Sequence, residues 1–581
     1  MSKPMQTTMT EILNNFDPEF GLIVDLFAGG GGVSEGIKSV FGRDPDVAVN
    51  HDPDAIAMHQ VNHLDTLHFT ADVFEVDPKS IFPEYPVELL WASPSCTHFS
   101  KARGSKPVCK QLRSLAWVVV KWAKLRNPRL IFLENVEEFE SWGPVDKDGY
   151  PVKEKAGQTF TSFVNSLKTL GYDVDWRTMQ AHEYGAPTIR KRLFMVARCD
   201  GLPIVWPQAT HGDPQSQKVL SGQLKPWHVA HEVVDFSISA HSIFMTRDEA
   251  KDKEISIRRP LKESTLRRIG KGLEKYVIKD QNPFILPTAT KGTIQSPWII
   301  KNYGVKKGGF ASSSKRPIGA ITTVDHNALG TVVLTPFVMN YFGERTDKNG
   351  GKIADGRGCK LDSCLSTITA GGLRHVSIPA SFAILSVSTI TAGGLRHAIV
   401  EPELVAISGD DTINTVETPR GNLCISHAVK FKGKNYGFGM NECVQTITAG
   451  GNHFGIVETH CDPVTNIVFD HLMMSRINLV RLFIKTYCTN INDYEQSMGI
   501  LTINGQKYQI IDIRFRMFTP RELFSAQGFP EDYIIDKTIT GKPLTKEQQV
   551  RMVGNSVSPK VAQALVWANI MSFLPAMMAA R

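Results

Sequence analysis

The sequence contains no CxxC pair: its nine cysteines, at 96, 109, 199, 359, 364, 424, 443, 461 and 488, are an odd set at irregular spacing. Neither a disulfide framework nor a zinc site of the usual ligand spacing is written there, so no metal is expected. No run reaches the roughly eighteen uninterrupted apolar residues of a membrane span. The opening MSKPMQTTMTEILNNFDPEF carries acidic and amide residues where a signal peptide has an apolar core. The expectation is a soluble, cytoplasmic protein without a membrane partner. Charge of one sign is also missing: 65 Lys and Arg against 58 Asp and Glu leave +7 and a pI near 8.8. That balance permits a polyanionic partner without requiring one. What the chain does have is length, 581 residues with 42% hydrophobic, enough for a sizeable core in at least two domains.

The first two hundred residues alternate between strand and helix patterns. GLIVDLFA (21–28) is a short apolar run closed by Gly29, Gly30, Gly31 and Gly32, and VSEGIKSVF then has a helical pattern. DVAVN (46–50) leads into DPDAIAMHQVNH, with Asp52 placed to cap and Pro53 suited to the first turn. The alternation repeats at VELLWAS (87–93), LRSLAWVVVKWAKL (112–125) and PRLIFLENV (128–136). It predicts an α/β domain, a mostly parallel, doubly wound Rossmann-like sheet with its ligand at the carboxyl ends of the strands. The glycine turn lets a ligand approach the backbone, and a dinucleotide, a flavin or S-adenosylmethionine would each suit it. Its spacing is not GxGxxG, which argues against NAD.

Three reactive side chains fall at the same rim. Cys96 in ASPSCTHFS follows the strand VELLW, Glu134 and Asn135 follow RLIFL, and Arg190 and Arg192 in APTIRKRLFMVA immediately precede another apolar strand. A thiol, a carboxylic acid and a guanidinium thus converge from positions far apart in the chain.

With these residues in hand, the sequence resembles the DNA cytosine-5 methyltransferase family, and the motifs run in the family's order. DLFAGGGG (25–32), SPSCTHFS (93–100), ENV (134–136), APTIRKR (186–192), TPRELFSAQGFPEDY (519–533) and GNSVSPKVAQAL (554–565) are similar to its first, catalytic Pro-Cys, sixth, QxRxR, ninth and tenth motifs. Ser95 stands where the family has Pro, Thr97 and Thr188 where it commonly has Gln, and Asn50 at its acidic ribose position, leaving Asp52 as the substitute. The resemblance implies a DNA (cytosine-5-)-methyltransferase. Cys96 would be the nucleophile, Glu134 the acid at the cytosine N3, Arg192 the contact to O2, and Arg190 the brace of the site. It also implies S-adenosylmethionine as cofactor, held by Asp25, Phe27, Gly29, Gly31, Gly32, Asp52, Asp72, Val73, Asn555 and Ser556. Double-stranded DNA would be the partner, with a cognate restriction endonuclease as a genetic companion and a nucleoid or phage-infected cytoplasm as the setting. An RNA cytosine-5 methyltransferase and a catalytically silent DNA-binding relative are the competing readings.

Between the fourth and fifth of these motifs lies a long insertion. Residues 258–279 put Leu266, Ile269, Leu273 and Val277 on one helical face and Arg267, Arg268, Lys271 and Lys275 on the other, a basic face that suits solvent as well as phosphate. TITAGGLRH occurs at 367–375 and 389–397, TITAGGNH at 446–453, and a diverged ITTVDHN at 321–327, a pattern of repeated antiparallel hairpins. Arg374, His375, Arg396, His397 and His453 are candidate DNA contacts on these hairpins, or simply part of a hairpin scaffold. The expected organisation is a catalytic and cofactor-binding domain at 1–200, a β-rich target recognition domain at 201–510, and a segment at 511–581 returning to the catalytic domain.

Overall fold

The computed structural model describes residues 20–95, 114–286, 423–431, 436–449, 453–464 and 471–571, and the backbone alone of seven strands between 298 and 386. Apolar runs bounded by turn residues form strands β1 (Leu22–Leu26), β2 (Val47–Asn50), β3 (Leu67–Thr70), β4 (Val87–Ala92) and β5 (Leu130–Asn135). Helices α1 (Gly32–Phe41), α2 (Pro53–Asn62), α3 (Trp117–Arg126) and α4 (Gln158–Thr169) alternate with them, and β6 (Asp173–Gln180) and β7 (Lys191–Arg198) complete the unit. The sheet order is β3-β2-β1-β4-β5-β7-β6. Pairing is parallel from β3 through β5 and antiparallel where β7 meets β5 and β6. This is the Rossmann-like sheet expected from the sequence, except that β7 starts at Lys191, so Arg192 lies inside a strand rather than before it.

Strands β1, β4 and β5 are buried at every position, because both faces of the sheet are covered. Alternation along each strand sorts the side chains between the two faces. Leu22, Val24 and Leu26 face α3 and α4, with Trp122, Phe163 and Leu167. Ile23, Leu89, Trp91 and Phe132 face the other way, onto Val33 and Ile37 of α1 and onto Val561, Leu565 and Val566 of a helix near the far end of the chain.

A second, β-rich unit follows. Strands β8 (His241–Ser242), β9 (Leu423–Lys430), β10 (Gly437–Gly439), β11 (Phe454–Pro463), β12 (Ile500–Ile503) and β13 (Gln506–Met517) form an antiparallel sheet in the order β8-β13-β11-β9-β10, with β12 on β13. Helix α5 (Glu263–Leu273) buries Ile269 and Leu273, and α6 (His471–Tyr487) buries Val480 and Ile484, against Ile425, Val457 and Ile513 of this sheet. The apolar face anticipated for 258–279 is therefore the packed face. The other side of the sheet carries Ala428, Phe454 and Ile456 onto α7 (Pro520–Gln527) and α8 (Lys546–Asn555), through Phe518, Phe524, Val550 and Val553. Strand β13 runs through the boundary expected at 510/511, and its last residues pair with β11 up to Met517.

The third TITAGG copy is not a hairpin over its described residues. Thr446 to Ala449 belong to no named strand, and the segment instead docks on the first unit: Val444 N donates to Pro187 O at 2.7 Å and Ile189 N to Val444 O at 2.9 Å. The copies at 367–373 and 389–397 lie outside the described residues. Among the described residues, no helix is long and apolar enough to cross a membrane.

Helix α9 (Pro559–Asn569) lies along α1 and closes one face of the first sheet. Leu565→Ala should therefore lower stability by about 2–5 kcal/mol, as expected for an aliphatic truncation in a packed core. It should appear as a lower denaturant midpoint at unchanged slope, and an unchanged midpoint would mean that α9 does not hold this face.

Candidate active site at the carboxyl edge of the first sheet

The chain leaves β1 through a turn that only unusual backbone conformations can make. Phe27 has φ 62°, in the left-handed region that side chains disfavour, and Gly31 has φ 90° as the N-cap of α1. Gly31 and Gly32 are also needed for space. A Cβ on Gly31 would fall 2.1 Å from the Tyr533 hydroxyl, and one on Gly32 would fall 2.1 Å from Ser556 Oγ. Tyr533 donates its hydroxyl to Gly30 O at 2.6 Å. The two ends of the chain thus meet at this turn, as the first and last motifs had implied.

The other candidate cofactor residues surround it unevenly. Ser556 is buried and Asn555, the last residue of α8, is exposed. Asp52 caps α2 by accepting from Asp54 N at 3.0 Å, and its carboxylate pairs with Arg551, which also holds Asp54. Asn50, at the end of β2, accepts from Asp52 N at 2.9 Å. Asp72 is exposed and accepts from Phe74 N, whereas Val73 points into the core, leaving Phe74 as the large apolar side chain at the surface beside them.

Beneath the turn, Asp25 is fully buried. Burial pushes its carboxyl up to about 7, against the opposing pull of the Ser34 hydrogen bond. Ser34 Oγ donates to Asp25 at 2.8 Å, so it must accept from His59 Nε2, also at 2.8 Å. His59 Nδ1 is then the acceptor for His68 Nε2 at 2.7 Å. Burial holds His59 well below its ordinary range and His68 down at about 4, so both imidazoles are neutral near pH 7. The histidines were not anticipated; they are 34 to 43 residues from Asp25, and no motif marks them.

At the neighbouring strand ends, Arg192 Nε lies 3.2 Å from Glu134 Oε1, both largely buried. Asn135 Nδ2 donates to Pro94 O at 3.1 Å and so ties the end of β5 to the segment leaving β4. Cys96 itself lies outside the described residues, two positions beyond Pro94. Arg190 is buried and donates to Ile447 O at 3.0 Å and Gly554 O at 3.3 Å, so it braces two backbone segments. Of the candidate DNA contacts, Arg374 and His375 lie on a strand paired through backbone with Tyr341 and Asn340. Arg396 and His397 are outside the described residues, and His453 is half-buried just before β11, its carbonyl accepting from Phe431 N.

The sequence model of the C-5 cytosine-specific DNA methylase family matches residues 22–306 and 432–570, well over half of the chain. The chain belongs to this family. Type II methyltransferase M.AgeI of Thalassovita gelatinovora is 29% identical over 206 residues, 34% of this chain and 45% of the relative. Type II methyltransferase M.BsuFI of Bacillus subtilis is 25% identical over 273 residues, 46% of this chain and 61% of the relative. The chain thus spans about half the length of these curated relatives. Among solved structures, the S. pombe Dnmt2 methyltransferase aligns with 96% of this chain and 99% of its own at 12% identity and a TM-score of 0.40. The stretch 307–431 falls outside the methylase-family match.

In this methylase-family chain, Asp25 offers a pH test. Its carboxyl is raised on folding, so the protonated form is favoured in the native state. The corresponding stability is full below the ordinary value of 3.8 and is lost as pH rises through about 7. Asp25→Asn should therefore gain on the natural protein from pH 4 to pH 8, by at most ~4 kcal/mol. Parallel melting-temperature profiles of the two proteins would contradict this.

Proposed function

We propose that this chain transfers a methyl group from S-adenosylmethionine to carbon 5 of cytosine in a specific sequence of duplex DNA. Family membership supports the reaction class. The observation that carries the assignment of residues is the hydrogen bond from Asn135 to Pro94, which holds the segment leading to Cys96 beside the Glu134–Arg192 pair.

The residues around the glycine turn fit the cofactor. Asp25 Oδ1 is buried without a hydrogen-bond partner, which suits a cationic ligand above it, and the turn leaves no side chain between backbone and ligand. Phe27, Gly29, Gly31 and Gly32 would line it, with Asp72 and Val73 at the next strand and Asn555 and Ser556 closing it. Asp52 is proposed here as an indirect support, since its carboxylate already serves Arg551. When bound, S-adenosylmethionine supplies an electrophilic methyl group.

The chain's own residues supply the rest. Carbon 5 of cytosine is a poor nucleophile, so the Cys96 thiolate first adds to carbon 6 and makes the ring enamine-like. Glu134 meets the electron density that arrives at N3 by hydrogen bonding or proton donation. Arg192, held by Glu134, contacts O2, and Arg190 acts at a distance by fixing the surrounding backbone. Once carbon 5 carries the methyl group, its proton would pass to solvent water as the carbon 6–sulfur bond breaks, which returns the Cys96 thiolate and restores the aromatic ring. Because carbon 6 lies inside the base stack, the target base must be extruded into the pocket. In the same proposal residues 1–200 form the catalytic domain, the β-rich unit from 201 to the end of β13 at Met517 reads the target, with Arg374, His375, Arg396, His397 and His453 as base or phosphate contacts, and the residues after it complete the cofactor site. A restriction endonuclease of matching specificity would be the genetic partner, in the cytoplasm.

Labelled methyl transfer to unmodified duplex DNA, with matched RNA alongside and base-resolved mapping of product, tests the proposal. Label at cytosine carbon 5 in one sequence context is expected; label only on RNA would change the substrate, and none on either would remove the activity. Cys96→Ala should abolish transfer while leaving cofactor binding near normal. Glu134→Gln should slow it by about 10²-fold or more, and a full rate in either variant would remove that residue from its role.

A further inference from the structure

Three potential metal ligands meet on the second sheet, away from the glycine turn. Cys424 of β9 lies opposite His460 of β11 in register, and Glu458, two residues earlier on β11, shares their face because side chains alternate along a strand. Cys424 Sγ is 3.9 Å from His460 Nε2, and that nitrogen is 3.4 Å from Glu458 Oε2. All three ligand atoms lie within 4.8 Å of one another. Glu458 is buried and the other two are half-buried.

An ion about 2.3 Å from sulfur and about 2.0–2.1 Å from nitrogen and oxygen, at tetrahedral angles, spaces sulfur and nitrogen about 3.5 Å apart and nitrogen and oxygen about 3.3 Å apart. The cluster reaches that geometry with side-chain adjustments on the order of an ångström. The neighbouring cation does not fill the position: Arg514, opposite Glu458 on β13, is engaged with Asp512, Nε to Oδ2 3.3 Å. A thiolate, an imidazole and a single carboxylate favour a borderline-soft ion over magnesium or calcium.

The place of the cluster gives it a purpose. Leu286 N donates to Cys424 O at 2.8 Å and Ile285 bridges Ile425, so these residues form the two sides of the neck where the chain departs at 287 and returns at 423. Most of that excursion is the part outside the family match. An ion held by Cys424 of β9 and by Glu458 and His460 of β11 would tie the strand that receives the returning chain to its neighbour in the sheet.

We propose that Cys424, Glu458 and His460 bind one zinc-class divalent cation, with a fourth position open to solvent, and that the ion cross-links β9 to β11 beside the point where the chain returns from the insertion. The proposal is independent of the methyl-transfer reading. The test uses the full chain, stripped with a chelator and titrated with cobalt(II). One equivalent should bind with a near-ultraviolet thiolate-to-cobalt absorption, be displaced by zinc, and raise the melting temperature. Cys424→Ser should lose the absorption and weaken binding by at least ~100-fold, and Glu458→Gln should weaken it by roughly 10-fold with the absorption kept. Cys461→Ser, a change at a cysteine packed in the apolar core of the second unit, should alter neither. No absorption in the natural protein, or one that survives Cys424→Ser, overturns the proposal. Should Cys424→Ser fail to fold by circular dichroism, unchanged cobalt affinity in folded Glu458→Gln overturns it instead.

Discussion

Everything at the candidate site depends on the closure of the C-terminal segment over the glycine turn. Ser556 and Tyr533 occupy the spaces that side chains at Gly32 and Gly31 would fill, and Tyr533 fixes Gly30 O across a separation of 503 residues. The same contact continues down the helix, where Gly36 of α1 admits Ala562 of α9 so closely that a Cβ there would sit 2.6 Å from it. Close backbone approach of this kind concentrates dispersion contacts and excludes water from a turn whose left-handed residues cost energy to hold. Removing either partner therefore exposes the strain of the other. The turn and its cover form one object, although they are encoded at opposite ends of the chain.

Closure entropy grows only with the logarithm of loop length. Once the ends are joined, the chain between them can lengthen at small thermodynamic cost, provided that the added segment returns to where it left. The ladder of Ile285 and Leu286 with Ile425 and Cys424 is such a return point, and β9 and β11 carry it into the core shared by α7 and α8. An inserted unit can therefore be elaborated without disturbing the first sheet, because the strands that anchor it are also the strands that seat the C-terminal helices.

The parallel core was readable because β1, β4 and β5 are continuous apolar runs, and a strand buried on both faces leaves that trace in sequence. The cap at Asp52, the amphipathic helix beginning at Glu263 and the meeting of chain ends were readable for similar reasons: each rests on a local rule or on ordered motifs. The Asp25–Ser34–His59–His68 chain was not, since neutral buried histidines bonded to one another leave no periodicity and no charge pattern. The strand at β7 was readable as an apolar run, but its antiparallel direction was not, because a strand's direction is a property of its pairing and not of its residues. At Thr446 to Ala449 a β-branched run read as half of a hairpin, whereas the segment instead follows Val444, bonded to Pro187 and Ile189, and gives its Ile447 carbonyl to Arg190, so tertiary context overrides that propensity.

That docked segment also gives Arg190 its meaning. A buried guanidinium needs hydrogen-bond acceptors, and here Nη1 donates to two carbonyls from different regions, Ile447 beside the second sheet and Gly554 at the end of α8. Two residues along, Arg192 makes the ion pair with Glu134, so the entry to β7 carries one arginine, just before the strand, that joins three segments and one, inside it, that faces the strand-end carboxylate. The 444–449 segment and the Glu134–Arg192 pair are therefore held at neighbouring positions of one chain segment, Arg190 and Arg192. The 444–449 segment is thereby connected to the entry of β7 by three hydrogen bonds, Val444 N to Pro187 O, Ile189 N to Val444 O and Arg190 Nη1 to Ile447 O, a short path from one unit to the other.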